Sequence, residues 1–192
     1  MAAPDPSEIL EFADAAAWER WLAANHDRCG EAWLKQAKKN AAVPAVTRAE
    51  SLEVALCYGW IDSHTRSLDA GHFLQRYSPR RPKSSWSKVN VDLVEELTAA
   101  GRMRPPGLAA VEAAKADGRW EAAYAGQKDA TTPPDLEAAL DASPGARKAF
   151  DGLGRSDRYT ILLALMKARS PEARSARLRR AVTELEAGGK PR

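Results

Sequence analysis

The stretch TRAESLEVALCYGWIDSHTRSLDAGHFLQRYSP, residues 47–79, decides the fold, because the period of its hydrophobic pattern changes within it. Thr47-Arg48-Ala49-Glu50 reads as a capping box, in which the threonine hydroxyl and the glutamate carboxylate each satisfy an amide at a helix start. The helix runs to Tyr58 with Ala49, Leu52, Leu56 and Ala55 facing inward, and Gly59 stands where a left-handed residue closes a helix. Trp60-Ile61-Asp62-Ser63 and His72-Phe73-Leu74-Gln75-Arg76-Tyr77 then flank Asp69-Ala70-Gly71, aromatic and β-branched residues on either side of a turn. That arrangement predicts a hairpin, ended by Pro79 and Pro82, which cannot donate to a strand ladder.

Outward from this segment the remaining elements follow from caps and spacing. Asp14 caps a helix over 15–25 whose Trp18, Trp21 and Leu22 share one face. Residues 31–35 place Trp33 in a strand bounded by Lys38, Lys39 and Asn40. Val91, Val94 and Leu97 mark a helix that begins at Ser87 or Asn90 and stops at Gly101, and another spans Gly107 to Asp117. Residues 126–134 (GQKDATTPP) have the polar, proline-bearing composition of a linker. Beyond it lie helices with Pro144 and Pro171 at first helical positions and Ser170 as a cap, their core drawn from Tyr159, Ile161, Leu162, Leu165 and Met166. The expected fold class is α+β: a helix-rich module with a small sheet over 1–125, a linker over 126–134 and an all-helical module over 135–192.

Composition narrows the function classes. A chain of 192 residues with 44% hydrophobic residues can bury a core, and its net charge of +3 is too modest for a dedicated nucleic-acid binder. From Asp135 onward acids and bases alternate without a continuous basic stripe, so nucleic acid is an unlikely partner. Cys29 and Cys57 have no CxxC spacing, which indicates reduced thiols and neither a disulfide framework nor a zinc site. The first residues lack the pattern of a signal peptide and no window is apolar enough to span a membrane, so the expected location is the cytoplasm.

The candidate binding residues sit between Asp69 and Asp92, a stretch without a single acidic residue. It carries Arg76, Arg80, Arg81, Lys83 and Lys88, interleaved with Phe73, Tyr77 and Trp86. Arginine forks suit carboxylate and phosphate oxygens, and Pro79 and Pro82 stiffen the loop that presents them. Trp86, flanked by serines, is expected to be partly exposed. Asp62, beside Trp60, is expected to face Arg66 or the Arg80/Arg81 pair, either ordering them or acting as a general base. Cys57 reads as a buried thiol, and no nucleophile–base spacing indicates a hydrolase. His64 and His72 with Asp62 and Asp69 are the residues from which a metal site would be built.

Three blocks carry a resemblance to a known family: Cys57-Tyr58-Gly59-Trp60-Ile61-Asp62, Arg76 through Asn90 (RYSPRRPKSSWSKVN), and Gly101-Arg102-Met103. Together they resemble the YdeI/OmpD-associated, bacteriocin-protection family, and the likeness extends to the C-terminal arginine-rich helix. What the resemblance implies is a role linked to bacteriocin or stress protection. A more distant similarity to small α+β proteins proposed as iron chaperones implies a metal-handling alternative. Two readings of the residues stay open. One is a binding protein for an anionic small molecule or an acidic partner surface, using Trp60, Asp62, Arg66, Arg76, Arg80, Arg81, Lys83, Trp86 and Lys88, without a cofactor. The other is a small enzyme with Asp62 as acid or base on an anionic substrate.

Overall fold

The computed structural model describes residues 8–38 and 45–189, so Lys39, Asn40 and the first seven residues of the N-terminal reading lie outside it. Among the described residues it has the expected α+β class, with a four-stranded sheet in the N-terminal part and helices after it. The chain forms two compact units, one of residues 1–84 and 90–121, the other of residues 85–89 and 122–192.

In the first unit, β1 (Ile9–Leu10), β2 (Ala32–Ala37), β3 (Trp60–Ser67) and β4 (His72–Pro79) form a sheet in the order β1-β2-β4-β3. β1 runs parallel to β2, and the other neighbours are antiparallel. The hairpin expected across Asp69-Ala70-Gly71 is β3–β4. Its turn is ordered by the Asp69 carboxylate, which accepts from the amides of Gly71 (2.7 Å) and His72 (2.8 Å). These backbone bonds, the Gly71 one foremost, hold the Asp69 carboxyl below the usual range. Between Asp62 and Thr65 the register shifts at a bulge. Gln75, buried beneath it, accepts from the Thr65 hydroxyl (2.9 Å) and donates to the His64 carbonyl (3.3 Å).

Two helices, α1 (Ala15–Asn25) and α2 (Arg48–Cys57), supply the other half of this core, capped by Asp14 and by the Thr47/Glu50 box as the sequence predicts. Trp18, Trp21, Trp60 and Tyr77 form an aromatic cluster with centroid separations of 5.3 Å for Trp18–Trp21 and 5.7 Å for Trp18–Tyr77. The buried face of α2 differs from expectation. Leu56 and Ala55 are buried as expected, but Ala49 is exposed, and Ser51 and Val54 are buried instead. A serine can take the inward position because its hydroxyl is satisfied there. It lies 2.8 Å from the Thr47 carbonyl, accepts from the Gln36 amide and sits 2.7 Å from the Tyr77 hydroxyl. The helix then closes on Gly59, whose φ of +72° bears out its predicted left-handed role.

α3 (Lys88–Ala99) buries Val91, Val94 and Leu97, the predicted stripe. α4 begins earlier than expected, at Pro105, because prolines lack only amides that a first turn leaves unbonded (Pro105–Ala116). Gly107 of α4 is set against the end of α2: a Cβ there would stand 2.2 Å from the Cys57 carbonyl oxygen.

The second unit contains α5 (Pro134–Asp141), α6 (Pro144–Gly152), α7 (Arg155–Met166) and α8 (Pro171–Glu186) around a core of Leu136, Leu140, Ala146, Phe150, Ile161, Leu162, Leu165 and Leu185. Ser143 and Ser170 accept from the amides of Ala146 and Ala173, capping α6 and α8 just before the prolines. Residues 85–89 join this unit through Tyr124. The Tyr124 amide donates to the Trp86 carbonyl (3.0 Å) and its carbonyl accepts from the Lys88 amide (2.8 Å). Among the described residues no helix is long and apolar enough to cross a membrane.

Candidate functional site

The candidate residues differ in burial and in the partners they find. Trp60 is 1% exposed in the aromatic core, with its indole N–H donating to the His26 carbonyl. Trp86, expected to be partly exposed, is 2% exposed; its flanking residues pair with Tyr124 instead of forming a free loop, which is why the serines beside it misled. Trp86 and Lys88 belong to the second unit and the other candidates to the first.

In the first unit the cations divide by their partners. Arg76 is not uncompensated: its Nε (2.9 Å) and Nη2 both donate to Glu31, and its Nη1 donates to the Ser63 hydroxyl. That guanidinium is the largest cause of the lowered pKa of Glu31. Asp62 does not face Arg66, Arg80 or Arg81. Its carboxylate accepts from Arg48 Nη2 at 3.0 Å, because the first turn of α2 lies beside β3, and its side chain is 19% exposed. The Arg66 guanidinium stands 5.7 Å over the Trp33 ring. Asp62 is thus held as an ion-pair partner. His72 bonds Asp69 (2.9 Å), and among the described residues no three His, Cys, Asp or Glu side chains come together in a way that could hold a metal.

What remains at the surface is a short turn after β4. The Arg80 amide donates to the Gly59 carbonyl (2.9 Å), and the Ser84 amide donates back to the Arg81 carbonyl (2.9 Å) across Pro82 and Lys83. Arg119, anchored on Asp117 at 2.7 Å, also donates to the Ser84 carbonyl (3.0 Å) and fixes the far end of the turn. Arg81 and Lys83 are exposed and Arg80 is half-buried. Arg48, Arg76, Arg102, Arg104 and Arg119 each meet a carboxylate. Arg81 meets none among the described residues.

Cys57 ends α2 and is buried. Removal from water pushes its thiol above the ordinary value, so it is poorly suited to act as a nucleophile. Sequence reasoning missed a second basic constellation, in the helical unit, where Lys128, Arg155 and Arg158 surround a cavity. Lys128 lies in the segment read as a linker, although the i, i+3 spacing of Arg155 and Arg158 was a visible signal.

A family model described as a domain of unknown function (DUF8412) matches residues 10–110, more than half of the chain, and one described as "Bacteriocin-protection, YdeI or OmpD-Associated" matches residues 129–188. The chain therefore belongs to the DUF8412 family, and residues 129–188 of its helical unit are a match to the YdeI/OmpD-associated family model. The second assignment is the family that the sequence resembles. Its match falls on 129–188, however, and the blocks from Cys57 to Met103 that carried the resemblance fall within the other match. No curated protein and no solved structure matches the chain.

Proposed function

We propose that the protein is a cytoplasmic binding protein that takes an anionic small molecule or an acidic partner surface on the turn from Arg80 to Ser84. The observation that carries this reading is Arg81, exposed, without a carboxylate partner and presented on a turn tied at both ends. A guanidinium in that state keeps its whole donor fork for an incoming oxyanion. Lys83 on the same turn adds charge, and the prolines limit the conformational entropy lost on binding. The bacteriocin-protection description of the family model that matches residues 129–188 supports reading this binding as part of a protective role.

The test is a thermal-shift screen of inorganic phosphate, nucleotides, dicarboxylates and an acidic peptide against the wild type and an Arg81→Ala/Lys83→Ala variant. A compound at a hundred times its dissociation constant stabilises the fold by about 2.7 kcal/mol. Stabilisation of the wild type with loss in the variant supports the reading. Equal stabilisation of both, or of neither, sinks it.

A further inference from the structure

The helical unit has a cavity of about 450 Å³ between α7 and the segment before α5, within the range of small-molecule sites. One side is cationic: Lys128, Arg155 and Arg158 all line it, and no carboxylate does. Phe150, Leu153 and Leu162 add apolar lining, Phe150 and Leu162 at the edge of the unit's core.

The cations of this cavity are held without being neutralised. Arg158 donates to the carbonyls of Leu153 (3.0 Å) and Asp151, and its guanidinium stands 5.5 Å over the Phe150 ring. Among the described residues Arg155 donates to the carbonyls of Gln127 and Lys128, both at 3.4 Å. Carbonyl oxygens position a guanidinium but leave its full charge in place. Elsewhere in the same unit Arg147 pairs with Glu137 and Asp141, and Arg174 takes Asp135 through two bonds. A smaller cavity of about 300 Å³, near Arg177 and Arg180, contains Glu184, which already pairs with Arg180. Arg177 of the smaller cavity likewise donates to a carbonyl, that of Ala164, so what sets the larger cavity apart is a lining with three cations and no carboxylate.

Its wall is also fixed before any ligand arrives. The Tyr159 hydroxyl donates to the Ala125 carbonyl (3.0 Å) and the Gln127 amide to the Ser156 hydroxyl (3.2 Å), fastening 125–128 to α7. A prebuilt site loses less entropy on binding. Phosphate alone would leave the apolar wall against water, and a hydrocarbon alone would leave three charges without counter-ions.

We infer that this cavity is a binding site for a small organic carboxylate with an apolar body, its oxygens on Arg155 and Lys128 and its hydrocarbon against Phe150, Leu153 and Leu162. The inference is independent of the turn at Arg81, which lies in the other unit.

The probe is 4-phenylbutyrate, titrated into the full-length protein and followed by amide NMR shifts, with 4-phenylbutyramide and inorganic phosphate as comparison compounds. Saturable shifts confined to residues around 127–132 and 150–162 are expected with the carboxylate, and weak or no shifts with the amide and phosphate. Arg155→Ala and Lys128→Ala, both at exposed positions, should each weaken binding by at least about tenfold, the order of a lost charge-assisted hydrogen bond. Arg81→Ala should leave the affinity unchanged, which separates this site from the turn. Arg158 supports the fold of its own wall, so it is tested as Arg158→Lys, checked first for an unchanged amide spectrum away from the cavity. The inference is overturned if the amide or phosphate binds as tightly as the carboxylate, if Arg155→Ala and Lys128→Ala both retain full affinity, or if 4-phenylbutyrate shifts nothing in this region.

Discussion

Tyr77 is buried against Ser51 and Gln36, and that burial gives the protein a defined weakness in alkali. Removal from water, ahead of any other influence, pushes the phenol up to about 12. An unfolded tyrosine ionises near pH 10, so the folded chain keeps a proton that the unfolded chain gives up. The sign follows: this contribution to stability is fully present below about pH 10 and is lost as pH rises through about 12. Two units at 1.36 kcal/mol each come to about 2–3 kcal/mol, of which about 2 would be gone by about pH 11.5. The perturbation that isolates the term is Tyr77→Phe, which removes the ionisable hydroxyl and keeps the ring against Trp18. At about pH 8 the variant should be less stable by about 1 kcal/mol, through the lost bond to Ser51. Urea unfolding of both proteins at the two pH values then gives the answer, because lysine and arginine titration is common to both. The gap should narrow by about 2 kcal/mol and close or reverse at the higher pH. If the two proteins lose stability in parallel across that range, the Tyr77 argument is wrong.

Gly107→Ala should destabilise the first unit by about 1–3 kcal/mol or more, because the new Cβ meets backbone oxygen and not a movable side chain. Gly145→Ala, where a Cβ meets nothing within 4 Å, serves as the control and should be neutral or stabilising by up to about 1 kcal/mol in denaturant melts. A thiol-reactive dye should label Cys29 in the native protein and Cys57 only after denaturation, as expected for half-buried and fully buried sulfurs. Equal native rates at the two cysteines, read by mass spectrometry, would contradict the burial of Cys57.

The parts legible in the sequence are those decided by neighbours along the chain. The Thr47/Glu50 box, the Asp14 and Ser170 caps, Gly59 and the Asp69 turn each require residues within three or four positions, so their chemistry is visible in a short window. Trp86 was not legible because its burial depends on a segment that pairs with Tyr124, 38 positions further along the chain. The same holds for Arg76 and Asp62, whose partners Glu31 and Arg48 come from other elements. Charge along the sequence indicated where cations gather but not which of them would find an acid in space. β1 is two residues long and carries no period. The helical cavity is hidden in the sequence for a compositional reason. Gln127, Lys128 and Thr132 look like linker, and their role appears only when α7 is laid beside them.

The interleaving of residues 85–89 with the helical unit limits how this molecule could have been assembled from parts. A gene fusion that appended residues 122–192 to some other protein would leave Tyr124 without the strand-like partner that precedes α3. The segment that answers to the YdeI/OmpD-associated description begins later still, at residue 129. During synthesis the five residues of the splice emerge well before the helices they belong to, and must wait through α3 and α4 for Tyr124 to be made. A fragment that starts at residue 122 would therefore lack the partner of Tyr124, and the five residues of the splice would have to be supplied with it to restore that bridge.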